Sequence, residues 1–398
     1  MSLLALEEAL ARLLALAAED GPLPHEQVAL ENADGRILAA PLVADLDLPP
    51  WDNSAMDGYA LRLDDWQGEP LRVSQRIFAG QALAPLEPGT CARIFTGAPV
   101  PAGADCVEMQ ENTEVLDDGR VRFVEQLRPG RNIRRRGNEV RVGDEVLSAG
   151  TALGPAELGV AASLGRAQLN VFRRLKVAVL STGDELVAPG QPLGPGQIYN
   201  SNRALLISWL RRLGCEVSDQ GILPDDLAET RRRLGALQAD LILSTGGVSV
   251  GEADYLGQAL REEGELTLWK LALKPGKPLT CGRFRGIPLI GLPGNPASTL
   301  VTFGLLARPY LLRRAGKIDV APLSVEVPAG FDWPRAGARR EYQRARLEDG
   351  RAVPHRNQGS NVLQTAAWAH GLVEIREDRT FAVGDPVRFI PLAELLKA

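Results

Sequence analysis

The spacing of apolar positions changes character along this chain, and the changes predict its elements. Over residues 3–18 apolar side chains recur at helical intervals, predicting one helix that Glu19-Asp20-Gly21-Pro22 ends. A second, shorter helical stretch is predicted near 26–40. From Leu48-Pro49-Pro50 to about residue 145 short apolar runs alternate with Gly and Pro, as in Leu71-Arg72-Val73, Cys91–Phe95 and Val121–Val124. That texture reads as an all-β module. Residues 150–170 return to a helical pattern, with Gly154-Pro155-Ala156-Glu157-Leu158 as a Pro-containing helix start.

Residues 171–315 alternate the two periods. Strand-like Lys176–Leu180 precedes helix 202–213, strand Glu216-Val217 precedes helix 227–238, and strand Leu241–Leu243 precedes a helix from Tyr255. Pro288–Gly291 then runs into Leu292-Pro293-Gly294-Asn295-Pro296 and helix 297–314. Such alternation predicts an α/β fold with a doubly wound sheet, whose ligands bind outside the carboxyl ends of the strands. Residues 320–398 carry short strands and Asp-Gly or Gly-Asp turns, suggesting a small barrel. The expected organisation is α/β plus β and multidomain. Residues 1–47 with 146–171 form a small helical domain, 48–145 an inserted β module, 172–318 the α/β domain, and 319–398 a C-terminal β-barrel.

Bulk composition narrows the function. A length of 398 residues calls for several domains, and 45% hydrophobic content is ordinary for a globular protein. The net charge of −5 offers no global attraction for nucleic acid or anionic membrane, so an anionic substrate needs local basic clusters. Cys91, Cys106, Cys215 and Cys281 are widely spaced, and His25, His355 and His370 show no ligand spacing. A disulfide framework, a zinc site and a cysteine nucleophile are therefore not expected. The N-terminal stretch lacks a basic leader and no segment approaches about 18 uncharged apolar residues, so a cytoplasmic location without membrane contact is expected.

Three strand ends carry the chemistry. Ser244-Thr245-Gly246-Gly247-Val248-Ser249-Val250-Gly251-Glu252-Ala253-Asp254 joins a strand to a helix. Its small residues let backbone N–H groups converge on an anion, with hydroxyls from Ser244, Thr245 and Ser249 and carboxylates beside them. Phosphate next to carboxylate requires a bridging divalent cation. Ser181-Thr182-Gly183-Asp184-Glu185 repeats that logic, so Glu185, Asp225 and Asp254 are expected to share one hard cation. In Trp269-Lys270-Leu271-Ala272-Leu273-Lys274-Pro275-Gly276-Lys277-Pro278, an extended backbone would put Lys270 and Lys274 on one face, with Lys277 after a Pro-Gly turn. Lysines set among apolar residues and prolines suit an oxyanion pocket. Arg134-Arg135-Arg136 and Arg339-Arg340-Glu341-Tyr342 add guanidinium groups, and Gln358-Gly359-Ser360-Asn361 adds a hydroxyl.

Taken together, Asn53–Ala60, Thr96–Pro101, Ile133–Gly137, Ser181–Leu186, Gly246–Asp254, Lys270–Pro278 and Gly291–Ser298 resemble the molybdopterin molybdenumtransferases, the MoeA-type proteins to which the gephyrin C-terminal domain is related. The resemblance spans nearly the whole chain. It implies insertion of molybdate into adenylylated molybdopterin with Mg²⁺-dependent release of AMP, by a four-domain elongated homodimer. Contact with the molybdopterin adenylyltransferase and with apo-molybdoenzymes is a further expectation. Carried onto matching positions, the family's functional acids are Asp57, Glu185, Asp225 and Asp254, with Thr96 and Arg134 as associated polar residues. Ser249 matches the pterin-phosphate region, and Lys274, Lys277, Ser298, Arg339 and Ser360 match molybdate-binding positions. Two other readings are an adenylyltransferase, which would form the adenylate from ATP without molybdate, and a non-catalytic molybdopterin-binding scaffold.

Overall fold

A computed structural model describes residues 3–81, 84–224, 226–246 and 255–397. The chain divides into two compact units, residues 1–40, 150–155 and 168–398, and residues 41–149 with 156–167.

The first unit is built on a six-stranded sheet in the order Glu216–Leu223, Lys176–Thr182, Leu241–Thr245, Ile287–Leu292, Pro278–Phe284, Gly264–Lys270. The first four strands run parallel and the last two antiparallel. Alternate residues of the parallel strands feed two separate cores. Val177, Val179, Leu241, Leu243 and Leu292 pack with Leu13, Leu206, Trp209 and Phe303, from helices Leu6–Glu19 and Ser201–Arg212 and the π-helical turn Phe303–Ala307. Leu180, Ile242 and Leu289 pack on the other side with Leu234, Leu256 and Leu260, from helices Leu227–Gly235 and Tyr255–Glu263. Burial on both faces explains the unbroken apolar runs of these strands. The strand order reverses beside Lys176–Thr182, whose successor Glu216–Leu223 lies on one side and Leu241–Thr245 on the other. That is the switch point at which open α/β sheets bind ligands.

A second sheet follows the order Leu273–Lys274, Arg340–Glu348, Gly371–Ile375, Pro386–Pro391, Val325–Pro328, with Arg351–Pro354 paired to Arg340–Glu348. It encloses Ala345, Ala352, Val373, Val387 and Phe389. The sheet is open among the described residues, where a closed barrel was expected. Its short first strand comes from the α/β segment of the chain and pairs in parallel, Leu273 with Arg340 and Lys274 with Glu341.

Two local expectations differ from the structure. The stretch near 26–40 is not helical: His25–Ala29 is a strand, followed by a single 3₁₀ turn, Leu30–Asn32. The helix expected over 150–170 is confined to Pro155–Ser163, because Gln168–Phe172 is the antiparallel partner of His25–Ala29. Strand pairing across more than a hundred residues overrides a local pattern of good helix formers.

The second unit contains a four-stranded sheet in the order Arg72–Ile77, Thr90–Ile94, Gly58–Leu61, Cys106–Met109. Gly58 is required by packing, since a Cβ there would lie 1.9 Å from the Glu108 carbonyl oxygen of the adjacent strand.

Asp20 fastens the N-terminal helix to the first unit. It caps Leu6–Glu19, accepts from Tyr310 Oη at 2.9 Å, and meets Arg283 Nη1 at 2.7 Å and Arg314 Nη1 at 2.6 Å. The Arg314 side chain is only 8% exposed. Removing one partner of such a pair leaves a buried charge uncompensated, so Asp20→Ala should cost about 3–5 kcal/mol. Urea denaturation of the variant checks this; a midpoint equal to that of the parent would refute it.

Candidate functional site

The switch-point strand ends are rich in buried hydroxyls. Ser181 Oγ and Thr245 Oγ1 lie 3.1 Å apart across the two strands and share one hydrogen bond. Thr182 Oγ1 and Ser244 Oγ are buried without a partner among the described residues. Buried polar groups are nearly always paired, so two unmet hydroxyls at the switch point mark a place where polar ligand atoms fit. Gly246 follows with φ +78°, and a Cβ on it would lie 2.6 Å from the Thr182 carbonyl oxygen. Only glycine lets the turn leave the strand so close to its neighbour.

Glu185 lies beyond the other strand. Its backbone is held by Ile198, whose N–H donates to the Glu185 carbonyl at 2.7 Å, and by the parallel pair Leu186–Val187 with Ile198–Tyr199. The carboxylate is exposed and folds back over Gly183, 2.5 Å from where a Cβ would stand. No cation among the described residues pairs with it, which suits a ligand for a hard cation. Its expected co-ligands Asp225 and Asp254 lie outside the described residues, as do Gly247, Ser249 and Glu252.

A second group of predicted residues meets where the two sheets of the first unit join. Lys274 Nζ contacts Glu341 Oε1 at 2.9 Å. Pro275-Gly276 then turns the chain onto the helix Pro296–Thr302: a Cβ on Gly276 would lie 2.5 Å from Thr302 Cγ2 and 3.6 Å from the Ser298 carbonyl oxygen. Ser298 is buried within that helix. Ser360 is tied to its start, accepting at Oγ from Asn295 Nδ2 at 3.2 Å and at its carbonyl from Ala297 N–H at 2.9 Å. Asn202 Nδ2 holds the same turn from the other side by donating to the Gly294 carbonyl at 2.6 Å. Arg339 precedes Arg340, whose N–H donates to the Ala272 carbonyl at 2.9 Å. Arg340 itself is committed to Glu7, Glu374 and Glu377, whereas Arg339 and Lys277 have no ionic partner among the described residues.

The lysine segment departs from the expected extended run. Lys270 ends the edge strand Gly264–Lys270 of the α/β sheet, and Lys274 belongs to the other sheet. The chain changes sheets at Leu271-Ala272, so strand alternation does not place the two lysines on one face.

In the second unit Asp57 and Thr96 are joined directly. The Thr96 N–H donates to Asp57 Oδ1 at 2.7 Å and its hydroxyl donates to the same oxygen at 2.8 Å. The surrounding turns are fixed by Ser54 N–H to Ala98 and Gly97 N–H to Ser54. These two Thr96 donors, and more weakly the Arg93 charge, hold the Asp57 carboxyl below its ordinary range. Of the basic triplet, Arg135 pairs with Asp52 and Arg136 with Asp47, both at 2.5 Å, while Arg134 is exposed and unpaired among the described residues.

The cysteines offer no nucleophile. Burial pushes the Cys91, Cys215 and Cys281 thiols up to about 12 and Cys106 to about 11. A cavity of about 390 Å³ beside helix Leu6–Glu19, lined by Trp269, Cys281 and Tyr310 among others, contains none of the predicted site residues. Glu341 and Asn202 were not singled out from sequence. Glu341 lies inside the motif chosen for its arginines, and only the register Lys274–Glu341 reveals its partner.

The fold and the site define an α/β protein with buried hydroxyls at a parallel-sheet switch point and, on the same unit, a lysine-bearing turn where its two sheets join. The MoeA N-terminal region (domain I and II) matches residues 4–165, a probable molybdopterin binding domain matches 178–313, and the MoeA C-terminal region (domain IV) matches 326–392. The molybdopterin molybdenumtransferase of Haemophilus influenzae is 40% identical over 94% of this chain and 96% of its own. Molybdopterin molybdenumtransferase 2 of Mycobacterium tuberculosis is 40% identical over 88% and 91%. A crystal structure of the molybdopterin biosynthesis moeA protein of Pyrococcus horikoshii OT3 superposes with a TM-score of 0.82 at 27% identity, covering 98% of this chain and 100% of that one. The chain belongs to the MoeA family of molybdopterin molybdenumtransferases. Among the described residues no helix is long and apolar enough to cross a membrane.

Thr96→Val removes one of the two donors to Asp57 Oδ1 and keeps the backbone N–H. The Asp57 carboxyl should then titrate at higher pH than in the parent, as followed by carboxyl-carbon NMR. An unchanged titration would show that the hydroxyl contributes nothing.

Proposed function

We propose that this chain inserts molybdenum, delivered as molybdate, into adenylylated molybdopterin and releases AMP in an Mg²⁺-dependent step of molybdenum cofactor biosynthesis. The observation that carries the reading is that the turn after Lys274 and Ser360 both pack against the helix Pro296–Thr302, which carries Ser298, on the same unit as the buried strand-end hydroxyls that have no partner among the described residues. The substrate needs two anion sites, one for its pyrophosphate and one for a tetrahedral dianion, and these two places supply them.

In this reading the turn after Thr245 receives the pyrophosphate through backbone N–H groups from Gly247 onward, since the Gly246 N–H donates to the Leu292 carbonyl at 3.3 Å, with Ser244 and Ser249 as hydroxyl donors. Lys274, Lys277 and Arg339 attract molybdate, and Ser298 and Ser360 orient its oxygens. Glu185, Asp225 and Asp254 hold Mg²⁺, which polarises the phosphoanhydride when bound. Asp57, kept ionised by Thr96, serves the same reaction, and Arg134 and Lys270 add charge for the phosphates. The dithiolene of the substrate supplies the ligands to molybdenum, so no protein nucleophile is needed. We read the active species as a cytoplasmic homodimer that receives its substrate from the adenylyltransferase and passes cofactor to apo-molybdoenzymes. Residues 48–145 are read as an inserted module between the two parts of the N-terminal domain.

The purified chain given adenylylated molybdopterin, Mg²⁺ and molybdate should release AMP and yield cofactor that reconstitutes an apo-molybdoenzyme. Formation of the adenylate from ATP and molybdopterin without molybdate would identify an adenylyltransferase instead. Asp254→Asn should abolish AMP release while substrate still binds, because a neutral amide lacks the charge a hard cation prefers. Full Mg²⁺-dependent turnover by that variant would remove Asp254 from the metal site.

A further inference from the structure

We propose that Phe78 is a stacking platform for the pterin ring of the substrate, beside Asp57 on the second unit. The inference rests on the reading of this chain as acting on adenylylated molybdopterin. Phe78 and Phe95 stack in parallel, with ring centroids 4.6 Å apart and planes inclined by 10°. The strands behind them pair in parallel, Ile77 with Ile94, so the next residues, Phe78 and Phe95, come side by side. The row continues across the sheet. The Arg93 guanidinium lies 4.7 Å from the Phe95 centroid and 5.1 Å from that of Tyr59, its register partner. Tyr59 is buried and anchors the row in the core, whereas Phe78 at the outer end is 45% exposed. Phe95 takes one face of Phe78, so the exposure falls on the other face and the edge, which a flat ring can cover.

The row runs beside the predicted acid. Arg93 Nη1 donates to the carbonyl of Gly58, the residue after Asp57, at 3.0 Å, and the Arg93 charge acts on the Asp57 carboxyl. Phe95 directly precedes Thr96, whose two donors occupy Asp57 Oδ1. Oδ2 has no partner among the described residues. A carboxylate oxygen left without a donor selects for N–H groups. The pyrimidinone ring of a pterin is flat and carries two adjoining N–H donors, its 2-amino group and the neighbouring ring N–H. Adenine sets its one amino group between two ring-nitrogen acceptors, which a carboxylate repels. Shape alone admits both rings of the substrate, and the acid decides for the pterin. Stacking of a heterocycle on one aromatic side chain changes affinity by about five- to a hundredfold.

The experiment measures binding of adenylylated molybdopterin to the purified chain by calorimetry, with Mg²⁺ and without molybdate so that no turnover occurs. Binding of AMP is measured under the same conditions. The parent, Phe78→Ala, Phe78→Leu and Phe78→Tyr are compared, with thermal melting and sedimentation as checks on folding and association. Phe78→Ala and Phe78→Leu should each weaken adenylylated molybdopterin by about tenfold, and Phe78→Tyr should stay within about twofold of the parent. AMP should bind all the proteins alike. Unchanged binding of adenylylated molybdopterin in Phe78→Ala would overturn the proposal. A loss in Phe78→Ala that Phe78→Leu repairs would also overturn it, since plain apolar contact would then suffice. Equal weakening of AMP would put adenine on Phe78, and a changed association state in Phe78→Ala would make the residue a contact between copies. Either result overturns the pterin assignment. Failure of the parent itself to bind adenylylated molybdopterin would overturn the functional reading beneath, and only then do the two fall together.

Discussion

A parallel sheet covered on both faces has only its strand ends at which to present polar groups, and that constraint organises the first unit. Side chains of Lys176–Thr182 and Leu241–Thr245 alternate between two apolar cores until the last residues of each strand. There Ser181, Thr182, Ser244 and Thr245 bring four hydroxyls to one edge, two bonded to each other and two unmet. Unmet hydroxyls in a core would be costly, and at the mouth of a ligand crevice the ligand can satisfy them. The reversal of strand order opens that crevice, so the location of the site follows from topology before any residue is assigned a role.

The second sheet joins the first at one short strand and shares its main core through Tyr342, Leu372 and Ile390. Leu273 is fully buried and belongs to the first unit's main core, whereas the backbone of Leu273–Lys274 pairs with Arg340–Glu341. This places a lysine, an acid and Arg339, which has no ionic partner among the described residues, at the seam between the sheets. Ser360 and Asn295 close the other side through their hydrogen bonds at the start of helix Pro296–Thr302. Both sides of the seam are thereby tied to regular elements of the first unit.

Much of this was legible in the sequence, and the reasons are specific. Val177–Leu180 and Leu241–Leu243 read correctly because strands buried on both faces are short continuous apolar runs, each ending in Gly and hydroxyl residues. The stretch near 26–40 misled because its residues are good helix formers and its strand partner, Gln168–Phe172, is remote in sequence. The lysine segment misled for a related reason: a periodicity argument assumes one sheet, and the chain changes sheets at Leu271-Ala272. Glu341 was visible as a residue and invisible as a partner, because ion pairing between positions 67 apart leaves no trace in local spacing. The apparent equality of the arginines was also broken only by structure. Arg135, Arg136 and Arg340 spend their charge on neighbouring carboxylates, which leaves Arg134 and Arg339 for a ligand.

The same accounting explains how a site without a nucleophile can be reactive. Burial pushes all four thiols well above their ordinary range, and the His355 and His370 rings are bonded to backbone of Asn357 and Leu347. What the chain offers instead is charge: an Asp57 carboxylate bonded by two donors from one residue, an exposed Glu185 with no cation beside it among the described residues, and lysines flanking a Pro-Gly turn packed on Thr302. Preorganised charge lowers a barrier only where it need not reorganise as the reaction proceeds. Glycines at 246 and 276 matter for that reason. Each allows an approach that a Cβ would block, 2.6 Å from the Thr182 carbonyl oxygen at 246 and 2.5 Å from Thr302 Cγ2 at 276.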